Sequence, residues 1–196
     1  MYKTTKILHI SHGAVYVASA YAFYVCKILL SVPLVASIII STSIGILLGI
    51  AFEVFLYYPL YKKKASVLLS FISSLGMYLF LINLIALIFG NEVKILQKEL
   101  EKTYQFLDII LTKTQIIEIL AFLGIFPLFY LFVRKTNFGM LIRAFSNNPE
   151  LAVVLGMEVR RIRILAFGIG SALAAIAGML VALDIGLDPN IGFSAV

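Results

Sequence analysis

Five long apolar runs divide this chain of 196 residues, and short, mostly basic segments connect them. The runs cover residues 13–30, 34–57, 65–89, 115–133 and 164–186. Crossing the hydrocarbon core of a bilayer takes about 20 mainly apolar residues in a helix, which bonds its own backbone polar groups. Apolar residues make up 62% of the chain and charged residues only 13%, too few to cover such a core in water. The sequence therefore predicts one domain that is an all-α, polytopic membrane helix bundle with about five transmembrane helices.

Basic residues are unequally distributed between alternate connections. Of the 16 Lys and Arg residues, eleven lie at the N-terminus, in 58–64 and in 134–163, and the other five lie at Lys27 and in 90–114. Short loops rich in Lys and Arg stay on the cytoplasmic side of a membrane. We therefore predict a multi-pass protein of the plasma membrane, with the N-terminus, 58–64 and 134–163 in the cytoplasm and 90–114 outside.

Two of the apolar runs carry small residues at every fourth position. In the second run they are Ser37, Ser41, Gly45 and Gly49, and Glu53 continues the same spacing. In the last run they are Ala166, Gly170, Ala174, Gly178, Ala182 and Gly186. Small residues on one helix face allow another helix to approach closely. We therefore assign Gly45, Gly49, Gly170, Ala174 and Gly178 to helix packing in preference to substrate contact.

Among the polar residues within the apolar runs, Asn83 and Glu53 need an explanation. Asn83 lies inside the third run, and Glu53 lies near the end of the second. Polar groups at membrane depth are costly and usually face protein or a water-filled path. For Asn83 we favour an interhelical hydrogen bond over a position on a translocation path. For Glu53 we favour a carboxylate that reaches the interface or pairs with a lysine.

The segment 91–112 differs from the apolar runs. Its apolar positions recur at helical spacing, with the charged residues mainly off that stripe: Val93, Leu96, Leu100, Thr103, Leu107 and Ile110. This pattern predicts an amphipathic helix on the outer surface or packed over the bundle.

The segment 134–163 contains the signals of a short helix. Asn148 is suited to the N-cap, Pro149 to the first helical position, and Glu150 to the positive end of the helix dipole. Leu151 begins the apolar face, and Gly156 is a natural stop. We predict a helix of about seven residues. The residues alone support two roles equally: docking into a groove of another protein, and a turn held by anionic lipid headgroups.

The chain lacks the sequence signatures of several classes of site. It has no GxxxxGK[ST] nucleotide loop, no HExxH and no CxxC, and its one cysteine, Cys26, cannot form an internal disulfide. We therefore predict no enzymatic activity and no metal or cofactor bound by this chain. The net charge of +6 is explained by membrane orientation, so no nucleic-acid partner is predicted.

Three blocks of residues resemble the membrane permease subunits of branched-chain amino acid ABC importers. Residues 10–16 are similar to the family's Asn-Phe-Ala-His-Gly-Glu-Xaa-Tyr motif, with His12 and Gly13 in register. Residues 53–60 are similar to its Glu-Arg-x-x-Tyr-Arg-Pro-Leu stretch, and residues 72–77 and 81–83 follow the family as well. The third and longest block covers 139–193. Its matching residues are Arg143, Ala144, Asn148, Pro149, Glu150, Leu151, Ala152, Leu155, Gly156, Gly170, Ala174, Ala177, Gly178, Asp188, Pro189, Asn190, Ile191, Gly192 and Phe193.

The resemblance implies a permease subunit of an ATP-driven importer for branched-chain or other apolar amino acids. It implies three kinds of partner: cytoplasmic ABC ATPase subunits that hydrolyse the ATP, a second permease subunit, and an external substrate-binding protein. It favours the docking role for the short cytoplasmic helix, as a coupling helix. The ATPase-coupling residues would be Arg143, Asn148, Pro149, Glu150, Leu151 and Gly156. His12, Gly13 and Asn83 become candidates for the translocation path.

The chain also departs from the family pattern. Ala14 replaces the family's Glu, and Val54 and Tyr58 replace its arginines. Members of that family begin with one more apolar span and continue with further spans after the third block. We therefore expect an incomplete transmembrane domain. The alternative function is a degenerate or fragmentary permease that acts as a structural membrane partner without transport.

Overall fold

The computed structural model describes residues 10–96, 103–106, 109–189 and 192. The described helices, in chain order, are α1 (Ser11–Tyr24), α2 (Leu34–Phe52), α3 (Tyr58–Lys62), α4 (Val67–Phe89), α5 (Lys113–Lys135), α6 (Asn137–Asn147), α7 (Pro149–Val154) and α8 (Val159–Ile185). Two π-helical turns continue them: Val25–Leu29 extends α1, and Glu53–Tyr57 joins α2 to α3. The described strands, β1 (Thr103–Phe106) and β2 (Ile109–Thr112), form an antiparallel hairpin.

The long helices confirm the predicted all-α membrane bundle. Four of them are long and apolar enough to cross a bilayer: Leu34–Lys62, Val67–Phe89, Lys113–Lys135 and Val159–Ile185. They correspond to the second to fifth apolar runs. The first run forms α1, which does not meet the same criterion and packs against α2, α4 and α8. Because its neighbours enclose α1, this helix tolerates more polar residues than a helix that faces lipid.

Contacts between the helix ends show which connections lie together. At one end, Arg163 near the start of α8 bonds Glu53, and Ser11 at the start of α1 contacts Tyr57. This end, which we call the basic end, carries 58–64 and 134–163. At the opposite end, the hairpin end, Lys94 and Leu187 exchange backbone hydrogen bonds of 2.8 Å. The structure thus places the two longest basic connections on one side of the bundle.

The predicted amphipathic helix over 91–112 is wrong for the residues that form β1 and β2. Thr103 lies opposite Thr112, and Tyr104 lies opposite Leu111. β-Branched and aromatic residues dominate both segments, and they favour strands because their side chains are restricted in a helix. Residues 97–102 and 107–108, which include Leu100 and Leu107, lie outside the described residues.

The connection 134–163 contains two helices where the sequence predicted one. In α7, the Asn148 side chain accepts a hydrogen bond of 3.0 Å from the backbone N–H of Leu151, and Pro149 occupies the first turn. Gly156 follows with a φ of +76°, a conformation that glycine adopts without strain. The additional helix, α6, begins in the same manner, since Thr136 Oγ1 accepts from the N–H of Gly139 at 3.0 Å.

The small residues of α2 form its buried face against α8 and α1. A Cβ at Gly49 would overlap the side chain of Ser171, and one at Gly45 would lie 2.8 Å from the Ala175 Cβ. On α8, the residues nearest α2 are therefore Ser171 and Ala175, one position beyond Gly170 and Ala174 of the predicted ridge.

The remaining ridge residues of α8 serve other contacts. Gly178 is buried against the backbone of Tyr16 in α1. Ala174 is half-buried and packs on the core cluster that α1 and α4 share. Gly170 is half-buried and lines a small cavity beside α5. The four-residue spacing is thus typical of a helix that packs against several others. The ridge residues of α8 lie on more than one of its faces.

Candidate functional site

A buried ion pair joins α2 to α8 at the basic end. Arg163 Nε donates to Glu53 Oε1 at 2.5 Å, and Nη2 donates to Oε2 at 3.0 Å. The side chains are 0% and 1% exposed. The Tyr61 ring lies 4.7 Å from the guanidinium carbon, in a position for a cation–π contact. The expectation that Glu53 reaches the interface or pairs with lysine is therefore wrong, because a planar guanidinium satisfies both carboxylate oxygens within the protein.

A hydroxyl network lies beside the pair. Tyr57 Oη donates to Ser74 Oγ in α4 at 2.9 Å and lies 2.5 Å from Ser11 Oγ in α1. The backbone N–H of Ser11 also donates to Ser74 Oγ, at 3.0 Å. Because all three residues are buried, these bonds replace the water that their polar groups would otherwise require. The network ties the start of α1 to the second and third apolar runs.

The π-helical turn explains why Glu53 and Tyr57 both face inward. A π turn holds one extra residue, widens the helix locally and is frequent at functional sites. Here it spans Glu53–Tyr57, and both of its end residues are buried while Phe55 between them is exposed. One turn of backbone therefore supplies the acidic partner of Arg163 and the phenol of the hydroxyl network.

His12 lies close to this network, and Asn83 does not. The His12 ring packs edge-on against Phe167 of α8 with 5.9 Å between centroids, and Phe167 in turn lies 5.3 Å from the Tyr57 ring. Gly13 is buried in the next position of α1. Asn83 is exposed on α4, and its Nδ2 donates to the Leu79 carbonyl of the same helix at 2.7 Å. The favoured interhelical bond of Asn83 is therefore not the bond that the structure shows.

The helices of the basic end form a small unit with its own apolar contacts. Phe145 of α6, Ala152 of α7 and Ile162 of α8 are buried together. The residue after Ile162 is Arg163, so this unit connects directly to the buried ion pair. Arg143 lies on the exposed side of α6.

One face of α7 is apolar and exposed. Val154 is 81% exposed and Leu155 is 71% exposed, and Leu151 and Val153 are exposed as well. Asn148 fixes the start of the helix through its cap, and Ala152 anchors it to the unit. A capped, anchored helix that presents aliphatic side chains outside the bundle has the features of a helix that docks into a groove.

Sequence reasoning missed the partners of Glu53 and Tyr57. The sequence analysis assigned no partner to Tyr57, and it counted Arg163 only among the basic residues of 134–163. The available signal was a carboxylate near the end of one apolar run and an arginine at the start of another. These two residues can form a pair only when the end of the second apolar run and the start of the last run lie on the same side of the bundle.

The hydroxyl network makes a specific prediction about Tyr57. We expect Tyr57→Phe to lower the free energy of unfolding by about 1–3 kcal/mol, because Ser11 and Ser74 lose a buried partner. Thermal unfolding of the purified protein in detergent measures this loss. Tyr58→Phe is the matched control, since Tyr58 contacts Lys62 and Arg160 through its ring, which the change retains. Equal melting temperatures for the two variants would contradict the role of the network.

Comparison with known proteins adds an independent observation. A family model described as branched-chain amino acid transport system / permease component matches residues 1–196. The chain is 30% identical to the high-affinity branched-chain amino acid transport system permease protein BraD of Pseudomonas aeruginosa, in an alignment that covers all of this chain and 67% of that protein.

Two further relatives show how widely the similarity extends. The corresponding permease protein LivH of Salmonella typhimurium is 29% identical, with the same coverage of both chains. A probable branched-chain amino acid transport permease protein LivH of the archaeon Methanocaldococcus jannaschii is 26% identical over 92% of this chain and 58% of its own length. No solved structure matches the chain with significance.

Proposed function

Because this chain belongs to the family of branched-chain amino acid transport permease components, we propose that it forms part of the membrane pathway of an importer for apolar amino acids. The family membership confirms the resemblance carried by the His12-Gly13 motif and the 139–193 block. The curated relatives are named for branched-chain amino acids, which supports leucine, isoleucine and valine as the substrates to test.

The partners in this proposal are those of an ATP-driven importer. ATP hydrolysis takes place on separate cytoplasmic ATPase subunits, a second permease completes the pathway, and an external binding protein delivers the substrate. The observation that best supports the ATPase contact is the exposed aliphatic face of α7, which includes Leu151 and Val154. The Arg143 side chain, exposed on α6, is available to an acidic partner.

Charge distribution supports the orientation. The basic end holds Lys62, Lys63 and Lys64 together with the arginines of 134–163, so we place it in the cytoplasm. The hairpin end then faces outward, toward the binding protein. This orientation puts α7 on the side where ATP is available.

The contacts at the basic end suggest how movement would pass from α7 to the bundle. A displacement of α7 acts on Phe145 and Ile162 through their shared apolar cluster. Ile162 precedes Arg163, whose ion pair pulls on Glu53 and hence on the π turn that carries Tyr57. Since packed elements move as rigid bodies, the docked unit acts as a lever on α2, and through the hydroxyl network on α1 and α4.

The docking role of α7 leads to a test. We expect Val154→Asp to reduce co-purification with the ATPase subunit at least about tenfold, because a carboxylate would be desolvated in an apolar groove. Val154→Ile keeps the apolar contact and should leave co-purification unchanged. Val154 is 81% exposed, so neither change should alter the melting temperature of the permease. Normal ATPase association by Val154→Asp would show that α7 does not dock there.

A further inference from the structure

Two cations from different helices lie over one tyrosine ring at the basic end. Tyr58 of α3 is half-buried, and Lys62 Nζ lies 5.3 Å from the centre of its ring. The guanidinium carbon of Arg160, in the first turn of α8, lies 5.5 Å from the same centre. Both distances are within the limit of about 6 Å for a cation–π contact. The ring therefore holds together two exposed, positively charged side chains that belong to separate spans.

No ion pair with a described carboxylate neutralises these two cations. Glu158 pairs instead with Arg161 at 2.5 Å, and Glu53 is buried in its pair with Arg163. Two further exposed lysines follow α3 directly. The surface around the ring therefore has an excess of positive charge, which a bound anion would balance.

The start of α8 adds to this positive potential. Its N-cap residue, Glu158, makes no side-chain hydrogen bond to the first turn, and that turn contains no acidic residue. The first backbone N–H groups of a helix and its dipole favour a negative charge and disfavour a positive one. An anion beside Arg160 would therefore stabilise both the guanidinium group and the start of the helix.

Exposed apolar side chains lie deeper in the same two spans. Phe55, three residues before Tyr58, is 81% exposed. Leu165 of α8, five residues after Arg160, is 43% exposed. The shared ring therefore lies where the apolar surface of two membrane spans meets the basic, water-exposed surface.

We propose that Tyr58, Lys62 and Arg160 form a site for the phosphate of an anionic phospholipid, whose acyl chains lie against the exposed apolar side chains of the same spans. Clusters of lysine and arginine directly beside a membrane span attract anionic headgroups. The inference requires that the protein is embedded in a membrane, and it does not depend on the transported substrate.

Inorganic phosphate and an acidic face of a partner protein share part of this chemistry. We commit to the lipid because the site adjoins exposed apolar surface of the spans, which acyl chains cover and free phosphate does not. The surface proposed for the ATPase is a different one, the aliphatic face of α7. The experiment separates the three sources.

Native mass spectrometry of the full chain in detergent, titrated with phosphatidylglycerol, measures the site. We expect this lipid to bind at least about tenfold more tightly than phosphatidylcholine, which has no net charge. Lys62→Gln and Arg160→Gln should each weaken phosphatidylglycerol binding about fivefold, and the double variant about twenty-fivefold, because each removes one cation from the headgroup. Both residues are exposed, so the melting temperature should not change.

Arg134→Gln is the matched control. Arg134 is an exposed arginine at the same end of the bundle and lies 5.7 Å from the Tyr130 ring, but no second described cation shares that ring. This variant should bind phosphatidylglycerol like the wild type. Tyr58→Phe keeps the shared ring and should also bind normally, whereas Tyr58→Leu removes the ring and should weaken binding about fivefold although every charge remains.

Four results would overturn the inference. Wild-type affinity in the double variant or in Tyr58→Leu would show that the general charge of the surface attracts the lipid, without a site at the ring. Equal affinities for phosphatidylglycerol and phosphatidylcholine would exclude recognition of the anion. Displacement of the lipid by millimolar inorganic phosphate would identify a site for free phosphate. Unchanged lipid binding by the double variant, together with loss of ATPase co-purification, would assign the two cations to the partner protein.

Discussion

Replacing Glu53 by glutamine is expected to destabilise the protein by about 3–5 kcal/mol, because Arg163 would remain buried without a counter-charge. The two side chains are 1% and 0% exposed, so water cannot compensate the arginine. Glutamine keeps one acceptor oxygen for the guanidinium but removes the negative charge that balances it. The loss should appear as a lower melting temperature in detergent and a lower yield of folded protein in membranes.

Two controls separate this effect from a general sensitivity to charge removal. Glu158→Gln breaks an ion pair with Arg161 that has the same 2.5 Å separation but is 61% and 77% exposed, and such a pair contributes about 0–1 kcal/mol. The double change Glu53→Leu with Arg163→Met removes both buried charges and should recover most of the stability. A single Glu53→Gln variant that melts like Glu158→Gln would show that the pair is not buried in the membrane-embedded protein.

Gly178→Ala is the second change with a large expected effect. A Cβ at Gly178 would overlap the backbone carbonyl oxygen of Tyr16, and a backbone atom cannot move aside without separating α1 from α8. We expect a loss of about 1–3 kcal/mol of unfolding free energy from this overpacking. The same contact holds α1 against α8, so transport should fall with stability.

Gly168→Ala, in the same helix, is the matched control. A Cβ at Gly168 would lie 3.6 Å from a side-chain carbon of Ile50, an ordinary van der Waals distance. Because alanine favours a helix over glycine by about 1 kcal/mol, this variant should melt at the same temperature or higher. If both variants shift the melting temperature in the same direction, close contact between α1 and α8 does not depend on Gly178.

Local chemistry explains which elements the sequence predicted well. The short helix α7 was predicted from Asn148, Pro149 and Gly156, since a side-chain cap, a fixed φ and a left-handed glycine act within a few residues. The four-residue spacing of Gly45 and Gly49 likewise predicted the buried face of α2. These features need no knowledge of what lies across the bundle.

The hairpin shows where periodicity was misleading. Apolar residues from Val93 to Ile110 fit a helical stripe, but Thr103, Tyr104 and Thr112 belong to types that favour strands. A short apolar pattern fits both periods, and pairing with a second strand decides between them. That pairing is a contact between segments, so the spacing in one segment could not indicate it.

By itself, the sequence determined that this protein is embedded in a bilayer, because its apolar runs are long enough to cross one. It also determined that these runs are helical, because a helix satisfies its own backbone hydrogen bonds in lipid. It also determined the family, through residue patterns such as His12-Gly13 and the 139–193 block. Only the tertiary structure decided that Glu53 pairs with Arg163 and that Tyr57 joins Ser11 and Ser74 in a hydroxyl network. The physical reason is that 110 residues separate Glu53 from Arg163, and only the packing of α2 on α8 brings their charges together.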